Sequence, residues 1–128
     1  MREAKKQNMI TVVDDDLSVR KALSRLIKAA GYDVEIFESA EDFLNSSALD
    51  GSDFLIFEVQ LQGMSGLELQ AELSRSRHRC PFVFISAFSD ENARIEAVRN
   101  GAIEFLPKPL DSDRLLNIIN QAVGASPS

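Results

Sequence analysis

The chain has one cysteine in its 128 residues, Cys80, so an intramolecular disulfide is excluded. It has one histidine, His78, so no zinc-type Cys/His set can be assembled from it. Its longest uninterrupted apolar runs are only four residues, such as Phe54-Leu-Ile-Phe57, far short of a membrane span or a signal-peptide core. Between Ala29 and Ser74 there is no Lys or Arg at all, against ten carboxylates. The flanking segments hold all 14 basic residues and ten acidic ones, so they sum to +4 around a middle of −10. That balance argues against nucleic-acid binding by this domain, because such affinity rests on Lys and Arg neutralising phosphates. A cation or a basic partner suits it better. Together these absences predict a soluble protein of a reducing compartment, cytoplasmic, with no membrane association.

What is present is an ordinary globular composition, 45% apolar and 27% charged. A chain of this length buries about two thirds of its unfolded surface in a single domain. Residues 1–8 are polar and read as a flexible tail, residues 9–123 as the domain, and residues 124–128, Gly-Ala-Ser-Pro-Ser, as a tail or linker.

Within the domain the hydrophobic period alternates between two and 3.6. Met9-Ile-Thr-Val-Val13 is a β-branched strand that ends in three aspartates. Val19, Ala22, Leu23, Leu26, Ile27 and Ala30 then mark an amphipathic helix stopped by Gly31 at its C′ position. Val34–Phe37 is a second strand, and Ser39 with Asp42 resembles a capping box opening a short helix through Phe43 and Leu44. Asp50-Gly-Ser-Asp53 turns the chain into Phe54–Phe57, an apolar run without alternation that marks a strand covered on both faces and ends at Glu58. A loop from Gln60 to Gly66 leads to a third helix around Leu69 and Leu73, with Arg75, Arg77, His78 and Arg79 forming a solvated helix end. Pro81–Ser86 is a strand, Asp90–Asn100 a helix, Glu104–Leu106 a short strand and Asp111–Val123 a last helix. Five βα units in strict alternation predict a flavodoxin-like, doubly wound parallel sheet of order 2-1-3-4-5 with five helices. In such a sheet the site lies at the carboxyl ends of the strands, where strands one and three part.

To that edge the strands deliver Asp14 and Asp15, Glu58, Ser86 and Lys108. Clustered carboxylates repel unless a cation neutralises them, and hard oxygen donors suit Mg²⁺. A lysine ammonium and a hydroxyl opposite them complete a cradle for a phosphoryl group.

These residues, with Val12-Val-Asp-Asp15, Gly63-Met-Ser-Gly66, Phe84-Ile-Ser-Ala87 and Phe105-Leu-Pro-Lys-Pro109, resemble the receiver domain of two-component response regulators over nearly the whole chain. Ser39-Ala-Glu-Asp-Phe-Leu44 and Gly66-Leu-Glu-Leu-Gln70 resemble the receivers of nitrogen-fixation and LuxR-type regulators in particular. The resemblance implies a signalling module rather than an enzyme. It implies weak Mg²⁺ binding by Asp14, Asp15, Glu58 and the Gln60 carbonyl, and phosphoryl contacts from Ser86 and Lys108. It implies a cis Lys108-Pro109 bond and a switch at Ser86 and Phe105 that reports to the fourth and fifth predicted helices and the fifth strand. Its implied partners are a sensor histidine kinase, an output domain or target protein such as a helix-turn-helix, and a second copy of the chain.

The departure lies at the phospho-acceptor position, where the family has aspartate and this chain has Glu58. One added methylene moves the carboxylate by about an ångström, enough to cost a reaction on the order of a hundredfold. Gln62, at a position where the family usually has proline, loosens the following loop. Three outcomes stand open: Glu58 imitates a phosphorylated aspartate, or it pairs with Lys108 in an inactive arrangement, or phosphorylation persists weakly on Glu58 or Asp15. A different class, a small Mg-dependent haloacid-dehalogenase-like phosphatase, is raised by Asp14-Asp-Asp-Leu-Ser18, with Asp14 as nucleophile and Asp16 as general acid. The chain lacks that family's C-terminal acidic motif and cap. A nucleotide- or flavin-binding reading fares worse, because the first βα turn carries acid where phosphate cradling wants glycine and open amides.

Overall fold

The computed structural model describes residues 8–76, 79–87 and 91–124. Five strands, β1 (Met9–Val13), β2 (Asp33–Phe37), β3 (Phe54–Glu58), β4 (Phe82–Ser86) and β5 (Phe105–Pro107), form one parallel sheet in the order β2-β1-β3-β4-β5, as expected. The helices are α1 (Leu17–Ala29), α2 (Ala40–Leu44), α3 (Ala48–Gly51), α4 (Gly66–Arg75), α5 (Glu91–Arg99) and α6 (Ser112–Ile119), the last running into a π-helical turn, Asn120–Gly124. That is six α-helices among the described residues where five were expected. The addition, α3, is a single turn in the segment read as a connection, closed by the bond from Ser52 N to Ala48 O. One turn is too short for a hydrophobic period to reveal it.

Helix ends follow their local chemistry. Asp16 caps α1, its carboxylate accepting from Ser18 N and Val19 N, and Gly31 follows the helix at φ 99°. Ser39 Oγ accepts from Asp42 N at 3.0 Å to open α2. Ser65 and Glu68 close a full capping box at α4. The Lys108-Pro109 bond is cis. Arg77, His78, Asp90 and residues 1–7 and 125–128 of the two tails lie outside the described residues, while Asn8 and Gly124, the inner ends of those tails, are described.

Alternation along the strands sorts the core into two layers. Leu55, Phe57 and Phe84 pack with Phe43, Leu69, Leu73 and Ala97 beneath α2, α4 and α5, and Phe105 lies in the same layer. Ile10, Val12, Ile56, Ile85 and Leu106 pack with Leu23, Ile27, Leu115 and Ile119 of α1 and α6. All five residues of β3 are buried, as a central parallel strand requires. The edge strand β2 instead exposes Asp33 and Glu35, charges that discourage further strand pairing.

Cys80 stands just before β4, half-buried, with its thiol donating to the Ser52 carbonyl at 3.4 Å. Burial first, and the nearby Asp53 charge second, push its thiol from the ordinary 9.0 up to about 12. The thiol therefore keeps its proton in the folded chain where an unfolded chain has lost it, and stability falls as pH rises through that window. Alkylation by iodoacetamide at pH 8 is expected to be slow on the native protein and fast in denaturant; equal rates would contradict this placement.

Candidate functional site

The period of two also decides which side chains meet at the carboxyl edge. Asp14, Glu58 and Lys108 each stand two positions beyond a residue of the α1/α6 layer, namely Val12, Ile56 and Leu106, so all three are directed to the same side of the sheet. Register brings them level: Val13 pairs with Phe57, Glu58 with Ile85 and Ser86 with Pro107.

Lys108 bridges the two carboxylates. Its Nζ lies 2.5 Å from Glu58 Oε1 and 2.9 Å from Asp14 Oδ2. Asp14 is wholly buried and Glu58 is 5% exposed, so these pairs are screened far less than surface pairs. Each carboxylate also holds a main-chain donor two residues ahead: Glu58 Oε2 accepts from Gln60 N at 2.9 Å, and Asp14 Oδ1 accepts from Asp16 N at 2.8 Å. Burial works against the Lys108 charge, but the hydrogen bonds and charges of Glu58 and Asp14 outweigh it and raise the ammonium above the ordinary lysine range.

Ser86 is buried at the same edge, its carbonyl accepting from Lys108 N at 2.8 Å, which ties the end of β4 to the lysine. By alternation its side chain belongs to the opposite layer from the three charged groups. Phe105 is buried in that layer, turned inward. Asp15 is exposed, and with Asp16, Glu38, Ser39 and Gln62 it lines an open acidic cleft of about 490 Å³. The Asp16 carboxylate caps α1, accepting from Ser18 N and Val19 N, a structural role for the residue that the phosphatase alternative casts as general acid.

Gly66 sets how closely α4 approaches this edge. Its N–H donates to Val59 O at 2.9 Å, and a Cβ there would stand 2.4 Å from the Glu58 carbonyl oxygen and 3.0 Å from Val59 Cα. The loop between them is held from α2, where Glu41 Oε2 accepts from Met64 N at 2.9 Å beside Gly63 at φ 76°.

Several groups at this edge escaped sequence reasoning. Arg20 is buried against the Asp14 carbonyl; it sits at i+4 from the cap residue, a spacing that could have drawn attention to it. Glu41 carries no pattern that announces a partner 23 residues away. The Ser65-x-x-Glu68 spacing is a signal by which the start of α4 can be found.

Among the described residues no three His, Cys, Asp or Glu side chains come together as a ready metal group. The donors that are present are all hard oxygens, and Asp14 Oδ2 is buried with no hydrogen-bond donor aligned to it, only the ion pair to Lys108. That donor chemistry fits Mg²⁺.

The sequence pattern described as the response regulator receiver domain matches residues 10–120. The transcriptional regulatory protein TdiR of Thauera aromatica is 39% identical over 89% of this chain and 50% of its own length. Nodulation protein W of Bradyrhizobium diazoefficiens is 36% identical over 91% of this chain and 52% of its own length. Among solved structures, the response regulator StyR superposes with a TM-score of 0.85 at 39% identity, covering 94% of this chain and 61% of that one. The chain thus spans about half the length of the curated relatives it matches.

Proposed function

This chain belongs to the response regulator receiver domain family, and from that premise we propose that it is a receiver whose acceptor position is closed by its own ion pairs, a signalling and interaction module held in one state without a phosphoryl cycle. The observation that carries this reading is the 2.5 Å contact between Glu58 and Lys108. The longer side chain delivers a carboxylate to the ammonium that would otherwise meet a phosphoryl oxygen. The imitation is partial, since one carboxylate carries one charge where a phosphoryl group carries up to two and has more acceptor oxygens. Ser86 and Phe105 are the switch residues of this reading, and the burial of both supports it.

Asp14, Asp15, Glu58 and the carbonyl of Gln60 are the groups that would hold Mg²⁺. When bound, the ion supplies positive charge to the carboxylate cluster. Lys108 already neutralises part of that charge from within the chain, which supports weak affinity. No described helix is long and apolar enough to cross a membrane, and the reading places the domain in the cytoplasm.

The partners in this reading are a sensor histidine kinase and an output domain or target protein. A helix-turn-helix is the output class of this reading, supported by a relative about twice as long that is named a transcriptional regulatory protein. Self-association through α5 and α6 belongs to the same reading, with Ile95 and Val98 exposed on α5.

Intact mass after incubation with acetyl phosphate and Mg²⁺, on this protein and on Glu58→Asp in parallel, tests the proposal. One phosphoryl group is expected on the variant alone. Uptake by the unaltered protein would overturn the closed-site reading, and uptake by neither would show that Glu58 is not what silences the site.

A further inference from the structure

Among the described residues the buried charged side chains are Asp14, Glu58 and Arg20. The first two belong to the Lys108 ion-pair network, while Arg20 meets the Asp14 carbonyl and the Glu38 carboxylate instead. A guanidinium withdrawn from water is costly unless its donors are engaged. Arg20 lies one turn into α1, its own N–H bonded to Asp16 O at 3.1 Å, so its side chain turns back over the acidic turn. There Nη1 donates to the main-chain oxygen of Asp14 at 2.7 Å, a short charge-assisted bond, and Nη2 stands 3.8 Å from Glu38 Oε1 just beyond the end of β2.

We propose that Arg20 is the positioning residue of the acidic turn, a guanidinium fork that fixes the peptide after Asp14 and thereby sets which way the Asp14 carboxylate faces. With that carbonyl held, the peptide plane between Asp14 and Asp15 is held too. Asp16 N then meets Asp14 Oδ1 at 2.8 Å, and Oδ2 is left facing Lys108 at 2.9 Å while Asp15 stays exposed. The same cation offsets repulsion among Asp14, Asp15, Asp16 and Glu38, four anions gathered around one turn. The orienting role stands on geometry alone, and its consequence for signalling rests on the function proposed above.

Amide hydrogen exchange, resolved by NMR on the full chain, reads the clamp without a metal or a phosphodonor. In Arg20→Met the Asp16 amide is expected to exchange at least about tenfold faster while the Ile56 and Leu106 amides keep their protection. Arg20→Lys, which returns the charge without the fork, is expected to fall between the two. An Asp16 amide unchanged in Arg20→Met would overturn the proposal, as would Arg20→Lys exchanging no more slowly than Arg20→Met. Should Arg20→Met lose protection throughout, Arg20→Lys decides alone: faster Asp16 exchange over an unchanged Ile56 supports the clamp, and unchanged exchange at both overturns it. If Glu58→Asp takes up no phosphoryl group, the functional reading fails while the exchange result still stands or falls by itself.

Discussion

Lys108→Met destabilises the protein by about 3–5 kcal/mol at neutral pH, the usual cost of removing one partner from a buried ion pair. The size follows from the bridging geometry. Lys108 Nζ is within 2.9 Å of Asp14 and 2.5 Å of Glu58, and both carboxylates are shut off from solvent. Without the ammonium two like charges face each other in a low-dielectric setting, and Asp14 Oδ2 is left with no partner. Methionine keeps most of the stem volume, so the loss reports charge rather than a cavity. Urea melts at pH 7.5 measure the loss. A variant as stable as its parent would show that the bridge is not energetically coupled to the fold.

Gly66→Ala is expected to cost at least about 3 kcal/mol, at the upper end of ordinary overpacking, because the obstacle is backbone rather than a yielding side chain. The added Cβ would stand 2.4 Å from the Glu58 carbonyl oxygen and 3.0 Å from Val59 Cα. Relief requires moving the start of α4 away from the end of β3, which breaks the bond from Gly66 N to Val59 O. For a domain of this size the thermal midpoint should drop by roughly 12 °C, at about 4 °C per kcal/mol. Gly63→Ala is a useful companion. Its Cβ would meet the flexible carboxylate of Glu41 at 2.8 Å, but its φ of 76° adds backbone strain of its own. If Gly66→Ala melts with its parent, α4 does not pack against β3 as described.

The sheet and its order were readable because each strand and most helices carry their own period. β3 could be named central from four apolar residues in a row, and α1 could be bounded by Asp16 and Gly31. Boundaries shifted by a residue where both states satisfy the same pattern, as at β5, which is Phe105–Pro107 rather than Glu104–Leu106. The turn α3 escaped because four residues carry no period.

At the site, the residue types and the strand ends that present them were legible, but their pairing was not. Sequence reasoning brought Asp14, Asp15, Glu58, Ser86 and Lys108 to one edge. It treated Asp14 and Asp15 as a matched acidic pair and left the partner of Lys108 open. In the fold the neighbours in sequence separate: Asp14 is buried on Lys108 and Asp15 faces the cleft. Arg20 entered no expectation, since a lone Arg in an amphipathic helix reads as a solvated position until a main-chain carbonyl is found within 2.7 Å of it.

By itself, then, the order of residues determined the architecture, the family and the edge at which chemistry gathers, because hydrophobic period, caps and turn residues act over a few positions and need no knowledge of distant neighbours. Only the tertiary structure decided that Glu58 and Asp14 share one ammonium, that Gly66 must lack a side chain, and that Arg20 holds the turn. Those outcomes depend on fractions of an ångström between segments 6 to 94 positions apart, and charge pairing over such distances is set by how the layers pack, which no local pattern encodes.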